Sequence, residues 1–117
     1  MKVGIKRVYE ARSEQDGRRI LVDRLWPRGL TKEKAGVDLW LKEIGPSTEL
    51  RKWFGHDPER WQEFQKRYRD ELKKNAAPLL ILQQEVRRGP VTLLFGAKDE
   101  EHNEAAVLCS ILKNSAA

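Results

Sequence analysis

The chain has 117 residues, of which 39% are hydrophobic and 35% are charged, with a net charge of +5 and a single cysteine. This length allows about one domain with one modest core, and a lone cysteine excludes an internal disulfide bond. No apolar run approaches the ~20 residues that cross a bilayer, and the N-terminal MKVGIKRVYE lacks the apolar segment of a secretory signal, so we expect a cytoplasmic protein with no membrane partner.

The positive charge is concentrated in the first third of the chain. Residues 1–34 hold ten Lys or Arg and five Asp or Glu, whereas residues 35–117 hold thirteen of each kind. A basic segment attracts anions, from small phosphates to nucleic acid, although a basic surface can also serve solubility alone. The charge distribution therefore leaves anion binding and a plain solvated surface both open.

Strands and a short helix are predicted in the first part of the chain. Period-two alternation predicts a strand over residues 3–7, and the apolar triplet 20–22 predicts a second, buried strand after a turn at 14–17. Thr31 can cap a brief helix that ends at Gly36. Alternating apolar residues predict a third strand or extended segment within 37–42.

Three helices are predicted in the middle of the chain. Ser47 can cap the first helix, and Asp57 can cap the second, which has Pro58 at its first position. The third helix is expected to run from Pro78 to Arg88. The second helix presents one apolar face made of Trp61, Phe64, Tyr68 and Leu72.

The last part of the chain predicts a strand followed by a helix. The apolar run 91–95 follows Gly-Pro and is typical of a buried parallel strand. Asp99 is expected to cap a final helix that buries Leu108, Cys109 and Leu112 on one face. This order of elements predicts an α/β fold: a single small domain, residues 1–117, with a mostly parallel sheet of about four strands flanked by helices.

Polar residues follow two of the predicted strands. The segment DRLWPRG at 23–29 follows the second strand, and KDEEHN at 98–103 follows the last one. Ligands of open α/β sheets bind beyond the carboxyl ends of the strands, so we expect these two segments to share one site. The candidate ligand-binding residues are Arg24, Trp26, Arg28 and Lys98.

His102 and Asp99 are the candidate catalytic residues, because a histidine transfers protons near neutral pH. The acids at 99–101 are expected in the first turn of the last helix, where they would repel an anion, so an anionic ligand must be held from the arginine side. We expect Arg24 and Arg28 within hydrogen-bonding or one-water reach of residues 98–102, on the rim of a concave pocket. The alternative is that acids and arginines only fasten loop to helix, and that His102 is a structural hydrogen-bonding residue.

Other chemistry has little support in the sequence. His56 and His102 stand near carboxylates, but their spacing matches no zinc motif, so we predict no metal site. No phosphate-binding glycine loop of the P-loop or dinucleotide type occurs, so we predict no cofactor. Cys109 falls on an apolar helix face, and no nucleophile motif is present.

Three segments of the chain carry a family resemblance: RILVDRLWPRG at 19–29, WLKEIGPSTELRKWFGHDPERWQEF at 40–64 and LLFGAKDEEHNEA at 93–105. Together they resemble the YeaO-like bacterial proteins, a domain-of-unknown-function family. The resemblance implies a compact cytosolic α/β protein and no established reaction. Family members often have Tyr-Ala where Phe95-Gly96 stand here, so the resemblance implies that a phenolic hydroxyl is missing.

Three functions follow from these observations. The favoured one is binding, with or without transformation, of a small anionic molecule such as a phosphate- or carboxylate-bearing metabolite. Nucleic-acid binding through the basic first third, with Trp26 stacking on a base, is one alternative. A structural or partner-binding module without a ligand is the other. The sequence leaves open whether the protein is an enzyme and what its oligomeric state is.

Overall fold

The computed structural model describes residues 2–115. Four strands of this part of the chain form a parallel sheet. The strands are β1 Val3–Arg7, β2 Arg18–Leu21, β3 Leu39–Trp40 and β4 Val91–Phe95. Their spatial order is β1-β4-β2-β3, so β4 and β2 are the inner strands and lie side by side. The carboxyl ends of these two strands therefore open at the same edge of the sheet.

Five α-helices surround the sheet in the described part of the chain. They are α1 Lys32–Ala35, α2 Thr48–Phe54, α3 Trp61–Lys74, α4 Ala77–Arg88 and α5 Glu104–Ser115. Short 3-10 turns stand at Glu14–Asp16, Lys42–Ile44 and Pro58–Arg60. Among the residues described, no helix combines the length and apolarity needed to cross a membrane. This architecture confirms the predicted α/β fold.

The two faces of the sheet are covered unequally. The main core joins the strands to α2, α3, α4 and α5, with Phe64, Tyr68 and Leu108 among its most buried members. A smaller cluster on Leu21 and Leu94 packs against the segment that includes Trp26 and α1. Strand β4 is buried along its whole length, as its uninterrupted apolar sequence predicts.

Local signals predicted most of the helix ends. The side chains of Thr31, Ser47 and Asp57 each accept a backbone hydrogen bond at the start of their helix or 3-10 turn, as expected for N-caps. Strand β3 is shorter than the predicted segment 37–42. Directly after Leu41 the chain coils into the 3-10 turn, in which Ile44 N donates to Leu41 O, so the extended conformation ends there.

The predicted start of the last helix is wrong. Helix α5 begins at Glu104, and the side chain of the buried Asn103 accepts a hydrogen bond from Ala106 N at 2.9 Å. Asp99 instead closes a separate turn by accepting from the backbone N–H groups of Glu101 and His102. The acids at 99–101 therefore lie in a loop before α5, and the expectation that they occupy its first turn is corrected.

A buried arginine ties the first third of the chain together. The Arg19 side chain is fully buried and donates to the carbonyl oxygens of Glu10, Ala35 and Gly36 and to Asp16 Oδ2. Burial alone would raise the pKa of Asp16, but hydrogen bonds from Ser13 N, Arg19 and Lys6 hold the pKa below its usual value. Two of the basic residues near the N-terminus, Arg19 and Lys6, are therefore engaged with Asp16.

Candidate functional site

A cavity of about 400 Å³ lies beyond the carboxyl ends of β2 and β4. Its walls come from the two strand exits, from α2 and the loop that follows it, and from the residues around the start of α5. The lining combines aromatic rings with arginines, histidines and two carboxylates. Because parallel strands place their exits together, segments that are far apart in sequence meet here.

Asp23 lies at the exit of β2 and is fixed across to the exit of β4. Its Oδ2 accepts a hydrogen bond from Gly96 N at 2.8 Å, and its carbonyl oxygen accepts one from Trp40 Nε1 at 2.8 Å. Its other carboxylate oxygen, Oδ1, is buried and accepts no hydrogen bond from the described residues. Burial raises the pKa of Asp23 to about 6, against the opposing effects of Gly96 N and the Arg51 charge.

Two glycines allow the backbone to approach this corner closely. A Cβ atom at Gly96 would stand 3.0 Å from Asp23 Oδ2, and one at Gly45 would stand 2.8 Å from Arg24 N. The Gly96 carbonyl also accepts from Arg7 Nη2, and the Ala97 carbonyl accepts from Arg7 Nε at 3.0 Å. The exit of β4 is thus held from both sides, by Asp23 and by Arg7.

The three arginines of the cavity differ in how their side chains are engaged. Arg24 donates from Nε to Pro46 O at 3.0 Å and from Nη2 to Gly45 O at 2.8 Å, which anchors its guanidinium to the neighbouring loop. Arg28 and Arg51 are exposed, and neither guanidinium makes a hydrogen bond or ion pair within residues 2–115. These two cations are therefore available to a ligand.

The Trp26 side chain lines the cavity and is held in place by a hydrogen bond and by ring packing. Its Nε1 donates to Leu30 O at 2.7 Å, and its ring meets the Trp40 ring edge to face with centroids 5.3 Å apart. The ring also packs against the smaller core. Trp26 therefore has packing partners within the protein, and it also lines the cavity.

His102 and Asp99 form a hydrogen-bonded pair at the second exit. His102 Nδ1 lies 2.8 Å from Asp99 Oδ2, and hydrogen bonds from Glu101 N and from His102 lower the pKa of Asp99. The Trp61 ring packs edge-on against the imidazole at 5.2 Å. An imidazole whose Nδ1–H is given to a carboxylate turns Nε2 outward as its second polar atom. His102 lines the cavity, whereas Asp99 supports it from outside the lining.

The structure brings together four of the six residues singled out from the sequence: Arg24, Trp26, Arg28 and His102 all line the cavity. Lys98 is exposed and lies outside the lining. No direct hydrogen bond or ion pair joins Arg24 or Arg28 to residues 98–102 within the described chain. The Arg24 guanidinium instead donates hydrogen bonds to the carbonyl oxygens of Gly45 and Pro46.

Four charged or histidine residues of the lining, Asp23, Arg51, His56 and Glu104, are not among the candidate site residues predicted from the sequence. An acid placed directly after a buried strand was the available signal for Asp23. His56 adopts a positive φ of 58°, which is uncommon outside glycine, and follows the glycine that ends α2. Within residues 2–115, no group of three or more His, Cys, Asp or Glu is placed to hold a metal ion.

Comparison with known proteins gives consistent matches over almost the whole chain. The profile of the DUF488-N3i family, described as "Inactive DUF488-N3 subclade", matches residues 2–117. "Uncharacterized protein YeaO" of Escherichia coli is 42% identical over 114 residues, which cover 97% of this chain and 99% of that protein. "Uncharacterized protein Rv3073c" of Mycobacterium tuberculosis is 42% identical over 111 residues, covering 95% of this chain and 93% of that protein. No solved structure matches. These matches confirm the resemblance to YeaO-like proteins.

Proposed function

The chain belongs to the DUF488-N3i family, and from that premise we propose that it binds a small anionic molecule, a phosphate- or carboxylate-bearing metabolite, in the cavity at the exits of β2 and β4. The observation that carries this proposal is the presence of Arg28 and Arg51 in the lining, with guanidiniums that pair with no other described residue. Planar guanidiniums bind phosphate and carboxylate groups through paired hydrogen bonds.

The size and lining of the cavity support a small ligand. Small-molecule sites typically enclose roughly 300–1,000 Å³ and combine apolar walls with a few placed polar groups. This cavity, at about 400 Å³, lies at the lower end of that range, and Phe54, Phe64 and Trp26 supply its apolar wall. Three arginines against two carboxylates, Asp23 and Glu104, give it a net positive lining that attracts an anion.

The use of the basic residues favours a small anion over nucleic acid. Four of the basic residues near the N-terminus are paired with acids of the same chain: Lys6 and Arg19 with Asp16, Arg12 with Asp38, and Arg18 with Glu85. A nucleic-acid surface needs basic side chains that are free to neutralise successive phosphates. The internal pairing reduces the number available for that purpose.

The proposal is limited to binding. The Asp99–His102 pair has the arrangement of a general base oriented by a carboxylate. The description of the family as an inactive subclade favours a site that has kept ligand recognition without turnover. The His102 Nε2 then serves as one more hydrogen-bonding group toward the ligand.

A thermal-shift screen with phosphate- and carboxylate-bearing metabolites tests the proposal. A ligand at about 100 times its Kd should stabilise the wild type by about 2.7 kcal/mol, and a tenfold weaker affinity in Arg28→Ala should remove about half of that stabilisation. Arg87→Ala is the matched control, because Arg87 is exposed on α4 and does not line the cavity. Equal ligand shifts in the Arg28→Ala and Arg87→Ala variants, or no shift with any metabolite, would contradict the proposal. Gel shifts of single- or double-stranded oligonucleotides at physiological salt that weaken as salt is raised would favour nucleic acid instead.

A further inference from the structure

The Asp23 carboxylate is an anionic group inside a cavity whose other charged groups are mainly cations. It stands at the exit of an inner strand and lines the cavity. Its position is fixed by the hydrogen bond from Gly96 N to Oδ2 and by the bond from Trp40 Nε1 to its carbonyl oxygen. The carboxylate is therefore held in place independently of any ligand.

The chain leaves this carboxylate under-used as an acceptor. A carboxylate can accept about four hydrogen bonds, and the described residues donate a single one, from Gly96 N. The adjacent Arg24 cannot neutralise it, because the Arg24 guanidinium is turned to the carbonyl groups of Gly45 and Pro46. Arg51 acts on it only through its charge, without a hydrogen bond. A buried polar group in this condition is costly and calls for a partner.

We propose that Asp23 determines specificity in this cavity: its carboxylate accepts a hydrogen bond from a hydroxyl or ammonium group of the ligand, while the arginines hold the ligand's anionic group. This inference rests on the proposed function and makes it narrower. The ligand is then a phosphate or carboxylate that also carries a hydroxyl or amino substituent. A purely alkyl anion would leave the Asp23 carboxylate without a second donor and bind more weakly.

The variant Asp23→Asn changes this acceptor with little change in shape. Gly96 N requires an acceptor at the Oδ2 position, so the amide oxygen of the asparagine is expected to remain there. The amide NH₂ then takes the place of Oδ1 and presents a donor instead of an acceptor. The variant should therefore lose its preference for donor-bearing ligands while the arginines continue to bind the anionic group.

Isothermal titration with three matched probes tests the inference. Propyl phosphate has no donor on its alkyl chain, phosphoethanolamine carries an ammonium group on a chain of the same length, and glycerol phosphate carries hydroxyls. We expect at least one donor-bearing probe to bind the wild type about tenfold more tightly than propyl phosphate, as a hydrogen bond to a charged group would give. In Asp23→Asn this ratio should fall to about one, whereas Glu100→Gln, an exposed acid outside the lining, should keep it.

The outcomes separate this inference from the proposed function. If all three probes bind the wild type equally, or if the preference persists in a folded Asp23→Asn variant, the role of Asp23 is overturned and anion binding stands. If no probe binds and no other phosphate or carboxylate does, the proposed function fails and this inference fails with it. Circular dichroism melts of each variant establish that it is folded before the titrations are compared.

Discussion

At the scale of single residues, Asp23 combines a cost to folding with a position that suits binding. Burial raises the pKa of its carboxyl group to about 6, which means that its ionised form is disfavoured in the folded protein. The residue nevertheless stands in the wall of the cavity, where its charge can be compensated by a ligand. Groups that destabilise the native state are characteristic of functional sites.

We predict that Asp23→Asn stabilises the protein in a pH-dependent way. The pKa of the folded state, about 6, exceeds the ordinary value of 3.8, so the folded wild type binds this proton more tightly than the unfolded chain does. The wild type therefore loses stability as pH rises from about 4 through about 6, by about 2 kcal/mol in total. The asparagine variant lacks this loss, because it cannot ionise.

Urea denaturation at about pH 4 and about pH 8 measures the difference. The variant should gain about 2 kcal/mol relative to the wild type between the two values. A relative stability that stays constant with pH would show that the Asp23 carboxyl group is not perturbed in the folded state.

The missed role of Asp23 illustrates what sequence reasoning lacks at this scale. In the motif DRLWPRG, the residue types of Arg24, Trp26 and Arg28 predict anion binding and stacking. The fixed position of the Asp23 carboxylate depends on the hydrogen bond from Gly96 N, and Gly96 lies 73 residues away in sequence. Such a contact follows from the pairing of β2 with β4, and no local pattern in the sequence predicts which backbone groups that pairing brings together.

At the scale of secondary structure elements, the start of α5 shows how two good capping residues compete. Both Asp and Asn favour the N-cap position, and the chain offers Asp99 and Asn103 four residues apart. The buried Asn103 accepts from Ala106 N and donates to Asp99 O, so its amide joins the loop to the helix. Asp99 is then free to orient His102.

Asn103→Ala should destabilise the protein by about 1–2 kcal/mol, because it removes both the cap of α5 and the bond to the loop. Asp99→Ala should cost less, about 0.5 kcal/mol, since α5 keeps its cap. Chemical denaturation of the two variants measures the difference. A larger loss for Asp99→Ala, accompanied by a loss of helical signal, would show that Asp99 is the true cap.

The elements that the sequence predicted well are those set by neighbouring residues. The caps at Thr31 and Ser47 and the buried strand β4 depend on contacts within a few positions or on an uninterrupted apolar run. The predicted length of strand β3 was too great, because the strand ends where a 3-10 turn replaces the extended conformation. The strand order was not predicted, since it depends on long-range pairing.

At the scale of the whole molecule, Arg19 joins segments that the sheet alone would leave loose. Its guanidinium donates hydrogen bonds to the loop after β1, to the end of α1 and to Asp16, and so connects these segments. Because Arg19 is fully buried, removing its guanidinium would take the Arg19 donors from the carbonyl groups of Glu10 and Ala35 and the buried ion-pair partner from Asp16. The same order of strands that buries Arg19 also places the exits of β2 and β4 side by side and so forms the cavity.

Arg19→Met should therefore cost about 3–5 kcal/mol of unfolding free energy, as expected when one partner of a buried ion pair is removed. Arg12→Met is the matched control, because its ion pair with Asp38 is partly exposed and should contribute about 1 kcal/mol or less. Urea denaturation of both variants measures the two costs. Similar small losses in both would indicate that the buried network contributes little.

The most direct test of anion binding in the cavity is a nuclear magnetic resonance titration of the ¹⁵N-labelled protein with phosphoethanolamine and glycerol phosphate. We predict saturable shifts confined to groups at the cavity: the Gly96 amide, the Trp26 indole N–H and the Arg28 Nε–H. We also predict that Arg28→Ala weakens binding about tenfold, while the Gly96 amide and the Trp26 indole N–H still shift. Shifts spread over exposed basic residues remote from the cavity, or no saturable shift with either compound, would contradict anion binding in the cavity.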